Sequence, residues 1–229
     1  MDKEKNKNEI ITKILEIVND EKIQDPTKEL LSLEKKFSND VAIKQAIGQS
    51  FLRQGDNKGA LKYMKEALEI EPNNYAVHFN LGKLYQKFKK FDEAIIFYKK
   101  SVSLNIKFKQ GFNILGDIYF NKKDFKTAID YYKNSFDIDK SKDNVFAILR
   151  LGQCLLCEYS LKNEKSLLKD AKAYYEFANK LEPNNNIILK NIININNQLG
   201  LKRESILIEK SINGVYVIDK MKKNLTLEY

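Results

Sequence analysis

Between residues 41 and 142 the apolar and small residues follow one pattern written three times. Half of it surrounds a glycine: Ile47-Gly48-x-x-Phe51, Leu81-Gly82-x-x-Tyr85 and Leu115-Gly116-x-x-Tyr119. The other half follows an alanine: Ala60-x-x-x-Met64-x-x-Ala67, Ala94-x-x-x-Tyr98-x-x-Ser101 and Ala128-x-x-x-Tyr132-x-x-Ser135. Successive glycines lie 34 residues apart, and each alanine follows its glycine by 12. A fixed period of this length marks an array of supersecondary units, each needing its neighbours to bury its apolar face. Glycine within a helix costs about 1 kcal/mol relative to alanine. Its return at one register therefore implies close packing. The aromatics fill the space that the small residues open.

These residues resemble the tetratricopeptide repeat, a helix–turn–helix unit of about 34 residues. The family pattern has a large residue at position 4, Leu-Gly at 7 and 8 and an aromatic at 11. It continues with Ala at 20, an aromatic at 24, Ala at 27 and Pro at 32. Units starting at Val41, Tyr75 and Lys109 fit it. The departures are Lys44 and Met64 for aromatics, Ser101 and Ser135 for alanine, and Ile106 and Lys140 for proline, whereas Pro72 stands where expected. The resemblance implies an all-α, right-handed superhelix (an α-solenoid) of about five helix–turn–helix repeats with end caps.

The remaining segments extend the array. Residues 1–40 are expected to form a degenerate N-terminal helical cap. Its first helix carries Ile10, Ile11, Ile14, Leu15 and Val18, and its second starts at Asp25-Pro26 with Asp as N-cap. Four units follow, at 41–74, 75–108, 109–142 and 145–185. In the fourth, Leu151-Gly152-x-x-Leu155 restarts the pattern, and Ala171-x-x-x-Tyr175-x-x-Ala178 completes it. There the glycine-to-alanine spacing is 19, so seven extra residues enter near Glu158–Leu168, in the helices, the turn or both. Residues 186–229 read as a degenerate fifth unit with a capping helix over Gly214–Leu225; Gly200 aligns with Gly55 at the turn.

Composition adds little to this picture except charge. Only three prolines and nine glycines leave no room for a long linker. No apolar run approaches the roughly 18 residues of a membrane span, and the N-terminus lacks a secretory h-region, so a cytoplasmic location is expected. The net charge of +9 gathers at inter-helix turns, at Lys87, Lys89, Lys90, Lys122, Lys123, Lys126, Lys202 and Arg203. Stacked turns would make a basic rim able to bind nucleic acid or another polyanion. Cations at the ends of first helices also complement the helix dipole, and Asp92, Glu93 and Asp124 dilute the field.

Catalytic chemistry finds no foothold in the motifs. Cys154-Leu-Leu-Cys157 falls inside a helix with no second ligand pair, which suits small apolar fillers better than a redox or zinc site. His78, the single histidine, occupies a packing position. Phosphate-loop, dinucleotide and zincin motifs are lacking. The expectation is a non-enzymatic protein with no cofactor and no metal.

The family resemblance puts the binding surface on the first helices, at positions 2, 5, 6, 9, 12 and 13. The candidate partner-binding residues are Gln45, Gln49, Phe79, Asn80, Lys83, Asn113, Asp117, Arg150, Lys190 and Asn194, with Arg53, Lys87, Gln110, Phe120, Phe146, Gln153 and Asn191 at neighbouring positions. Amides, charges and aromatics of this kind hydrogen-bond a peptide and hold its apolar anchors. The two-carboxylate clamp that some family members use for acidic chaperone tails is matched at one position of five, Asn80. The resulting expectation is an adaptor for a protein or peptide partner, with polyanion binding as the alternative and oligomeric state left open.

Overall fold

In a computed structural model, residues 2–212 are described, apart from residues 21, 22 and 38. The capping helix expected over Gly214–Leu225 lies outside the described residues. Among those residues the chain forms twelve α-helices and one 3-10 turn. They are α1 (Asp2–Asn19), α2 (Pro26–Lys36), α3 (Val41–Gln54), α4 (Asn57–Ile70), α5 (Tyr75–Lys87) and α6 (Phe91–Leu104). Then come α7 (Lys109–Asn121), α8 (Phe125–Ile138), the 3-10 turn Lys142–Asn144, α9 (Val145–Lys162), α10 (Lys165–Leu181), α11 (Asn186–Gln198) and α12 (Lys202–Ile212). The chain divides into two units, one of residues 1–111 and one of residues 112–229.

Helix starts are fixed by short polar side chains that accept the first free backbone N–H groups. Asp25 accepts from Thr27 and Lys28, with Pro26 opening α2; Asp40 accepts from Ile43, and Asp56 from Lys58 and Gly59. Asn74, Asp124 and Asn185 do the same for α5, α8 and α11. The turns within pairs use left-handed backbone: Gly55 at φ 83° and Gly200 at φ 80°, with Lys89 at 59° and Lys123 at 62°. Glycine enters this region without penalty, which explains its use at positions 55 and 200. The seven extra residues of the fourth unit lengthen its helices, α9 to 18 residues and α10 to 17, while the turn at Asn163 and Glu164 stays short.

In the first unit α3 packs on α4 and α5 on α6, and α4 also meets α5. Leu30, Ile43 and Ile47 form one fully buried cluster with Ile10, and Ala60, Met64, Ala67, Val77, Leu81 and Leu84 form another. Lys44, which departs from the family pattern, bonds Glu34 and also Glu66, the latter at 2.5 Å. The Tyr63 hydroxyl donates to Glu34 at 3.2 Å, and the Lys44 ammonium lies 5.2 Å from the Tyr63 ring centre. Burial opposes the Lys44 charge, but the two carboxylates outweigh it and raise its pKa above the usual lysine value. The stem of Lys44 thus fills space while its head ties α2, α3 and α4 together. His78 is buried, its Nε2 2.9 Å from the Pro72 carbonyl and its ring beside Phe97.

In the second unit α8 packs on α9, α9 on α10, α10 on α11 and α11 on α12. A continuous core runs through Tyr132, Ile148, Leu151, Leu168, Ala171, Tyr175, Ile188 and Ile195. The 3-10 turn is stapled by Asn144, whose amide donates to the Ser135 carbonyl at 2.9 Å and the Asp139 carbonyl at 2.8 Å.

The glycines sit where aromatic rings approach the first helix of each pair. A Cβ at position 82 would lie 2.6 Å from Cδ1 and Cε1 of Tyr98, and one at 116 would lie 2.7 Å from Cε1 of Tyr132. Position 152 meets Tyr175 at 2.7 Å, but position 48 meets the terminal methyl of Met64 at 2.9 Å, its Cγ at 3.2 Å and the Ala60 carbonyl at 3.4 Å. Methionine is flexible and can swing aside; a buried tyrosine ring cannot. Gly82→Ala therefore incurs about 1–3 kcal/mol of overpacking, which outweighs the roughly 1 kcal/mol gained in helix propensity. Gly48→Ala keeps that gain. Urea denaturation is expected to show a lower midpoint for Gly82→Ala and an equal or higher one for Gly48→Ala. Equal losses at both positions would refute the packing difference.

Candidate functional site

Helical spacing builds the candidate surface. On α7, Asn113, Asp117 and Phe120 follow at i, i+4 and i+7, so they share one face. On α9, Phe146, Arg150 and Gln153 have the same spacing. Packing in the second unit brings these two triplets together around Arg150. Its Cζ lies 5.2 Å from the ring centres of both Phe120 and Phe146, so the guanidinium rests against two aromatic faces. Its Nη1 donates to Gln153 Oε1 at 3.0 Å, and its Nε is 3.6 Å from Asp117 Oδ1. That last distance is an ion pair but too long for a hydrogen bond.

Asp117 is held in turn by Tyr132 of α8, whose hydroxyl donates to Oδ1 at 2.5 Å. Burial pushes the Tyr132 pKa well above the ordinary phenol value, and the bond to Asp117 pushes it further. The hydroxyl therefore stays protonated and acts as a donor at neutral pH. Asn113 donates through Nδ2 to Asn144 Oδ1 at 3.3 Å. Asn113 Oδ1 and Arg150 Nε are two of six buried side-chain atoms without a hydrogen-bond partner among the described residues, the others being Asn57 Oδ1, His78 Nδ1, Asn179 Oδ1 and Asn196 Oδ1. Unpaired buried polar atoms are costly in a folded protein, and this cluster holds two of the six. Its outer surface is open, with the Arg150 and Asp117 side chains 34% and 37% exposed and Phe146 51% exposed.

The other sequence candidates are placed differently. In the first unit, Gln45 donates to Asn74 Oδ1 at 3.4 Å, so it supports the start of α5. Phe79 packs edge-on against Phe108 with ring centres 4.8 Å apart, and the Lys83 ammonium stands 5.9 Å from the Phe79 ring centre. Asn80 is half-buried beside them. Gln49 borders a small cavity of about 150 Å³, with Ile14, Leu15, Val18 and Arg53 also in its lining. In the second unit, Asn194 accepts from Gln198, and Lys190 borders a shallow hollow with Ile193, Glu209 and Ile212. Among the described residues, no hydrogen bond or ion pair joins Lys190 or Asn194 to the Arg150 cluster.

Tyr132 and Asn144 support this cluster, and sequence reasoning gave neither that role. Tyr132 was legible only as packing, because its hydroxyl partner lies on another helix. Asn144 precedes the first turn of α9 just as Asn74 precedes α5 and Asn185 precedes α11. That recurrence was the available signal.

The basic turn residues are partly engaged at close range: Lys87 donates to the Leu52 carbonyl at 3.1 Å, and Lys90 pairs with Glu93 at 3.9 Å. Cys154 is fully buried, which pushes its pKa up to about 12 and keeps it a thiol at neutral pH. Burial also raises the pKa of the half-buried Cys157.

Models of the tetratricopeptide repeat match residues 51–102 and 110–142. No functionally curated protein matches the chain in sequence. Among solved structures, the MamA protein is 25% identical with a TM-score of 0.60, covering 82% of this chain and 98% of its own. YrrB, described as a TPR protein with an unusual peptide-binding site, is 16% identical with a TM-score of 0.63, covering 84% and 94%. The C-terminal part of a TPR repeat-containing protein from Cytophaga hutchinsonii is 17% identical with a TM-score of 0.65, covering 82% and 73%. With the recurring glycine–tyrosine contacts and the paired helices, these matches identify tetratricopeptide repeats over residues 51–102 and 110–142, within the fold of a helical repeat protein.

Proposed function

We propose that this protein is a non-enzymatic scaffold or adaptor that binds a peptide or partner helix along the concave groove of first helices, chiefly through Asn113, Asp117 and Arg150. One observation carries the reading: a guanidinium already positioned by two rings and a carboxylate, on a side chain about one-third exposed, beside the buried Asn113 Oδ1 that has no hydrogen-bond partner among the described residues. Pre-positioned arginines and aromatics dominate the energetics of protein interfaces. Repeat scaffolds present such surfaces to their partners. The fold shared with YrrB supports peptide binding at the level of architecture. Asn80 and Lys83 form a second group in the first unit, where Asn80 makes no side-chain hydrogen bond among the described residues.

Hydrogen exchange on the full chain tests the proposal, with a peptide selected from a random display library as the probe. Added peptide is expected to protect backbone amides of α7 and α9 more than those of α8 and α10. Protection confined to α8 and α10 would place the partner elsewhere and end this reading.

A further inference from the structure

We infer that the α7–α9 face selects a primary carboxamide, the side chain of a ligand Asn or Gln, in preference to a carboxylate; the inference rests on the peptide-binding reading above. An arginine recognises a carboxylate best through two parallel N–H groups. Arg150 presents that fork only in part. Its Nη1 is engaged by Gln153 Oε1 at 3.0 Å, and its Nε is buried beside Asp117 Oδ1 at 3.6 Å. Nη2 and the second N–H of Nη1 are the donors left for a ligand. Beside them stands the Asp117 carboxylate, whose negative charge repels a second carboxylate arriving at the same guanidinium.

Asp117 supplies the complementary acceptor. Its Oδ1 takes the Tyr132 hydroxyl, while Oδ2 accepts no hydrogen bond from a described residue. The guanidinium N–H groups and the carboxylate of this partly exposed ion pair match the edge of a carboxamide, which offers a C=O and an N–H side by side. A trans backbone peptide group points its C=O and N–H in opposite directions, so it meets only one of the two. The exposed part of the Phe146 ring, 51% accessible, gives the methylene stem of an Asn or Gln an apolar surface to lie on.

The test uses peptides selected on the full chain from a random display library, keeping those that lose binding to Arg150→Ala. Each Asn and Gln in these peptides is replaced singly by Asp or Glu, and affinities are read by fluorescence anisotropy. One replacement is expected to weaken binding to the wild type by at least about tenfold. Asp117→Asn should remove most of that penalty, because it deletes the repelling charge while Oδ1 still accepts from Tyr132. Circular dichroism confirms that this variant is folded. Arg150-dependent peptides that prefer Asp or Glu, that contain no Asn or Gln, or that keep the full penalty against Asp117→Asn overturn the inference and leave peptide binding intact. Failure to select any peptide that depends on Arg150 overturns both.

Discussion

Tyr98→Ala is expected to destabilise the first unit by about 3–5 kcal/mol, the usual cost of removing a large buried aromatic. The ring is fully buried between α5 and α6, and its hydroxyl donates to Gln86 Oε1 at 2.8 Å. Tyr98→Phe keeps the ring and loses one hydrogen bond, so it should cost only about 0.5–1.5 kcal/mol. The sharper result comes from a double-mutant cycle with Gly82. A Cβ at Gly82 would clash at 2.6 Å only because the Tyr98 ring is there. In the Tyr98→Ala background, Gly82→Ala should therefore become neutral or stabilising, a coupling within the range of about 0.5–3 kcal/mol measured for residues in contact. Additive effects of the two substitutions in urea denaturation would show that glycine and ring do not interlock.

The second large effect concerns binding. Arg150→Ala is expected to weaken a selected peptide by about 2 kcal/mol, roughly thirtyfold. The variant loses the donor, the charge and the planar group resting against Phe120 and Phe146 together. Stability should change little, by less than about 1 kcal/mol, because the Arg150–Asp117 pair is about one-third exposed and screened by solvent. Arg150→Lys restores the charge without the planar guanidinium, so it should recover only part of the affinity. Full recovery by lysine, read by titration calorimetry, would reduce Arg150 to a point charge.

Much of the fold is legible in the sequence because repetition turns weak local signals into strong ones. A glycine in one helix says little, whereas Gly48, Gly82, Gly116 and Gly152 at equivalent positions report a shared steric constraint. The insertion in the fourth unit is visible as a longer spacing, but its distribution is not. The segment from Glu158 to Leu168 lacks Gly and Pro, and its helices simply continue to Lys162 and resume at Lys165. Lys44 is visible as a departure from the family pattern. Its explanation is not, because Glu34 and Glu66 lie 10 and 22 residues away.

The candidate site divides along the same line. Helical spacing places Asn113 with Asp117, and Phe146 with Arg150, each pair on one face of one helix. It does not reveal that the two faces meet, that Tyr132 anchors Asp117, or that Asn144 holds the turn beneath Asn113. Those relations arise from packing between helices. Lys190 and Asn194 share the sequence register of the other candidates, yet no polar contact connects them to Arg150 among the described residues. Equivalent register places residues on equivalent faces without making them one site.

The most direct test of peptide binding by this face is the dissociation constant of one selected peptide, measured at low and raised salt. The wild type is compared with Asn113→Ala/Arg150→Ala and with Lys89→Glu/Lys123→Glu. Charge reversal at Lys89 and Lys123 leaves the left-handed turns occupied by a residue of similar size. Contacts built on Arg150 and Asn113 predict at least about a thirtyfold loss for the first variant at both salt concentrations. They also predict near-wild-type binding for the second. Retained binding in the first variant, with loss in the second and a steep fall with salt in the wild type, would contradict the account and assign binding to the lysines through counterion release.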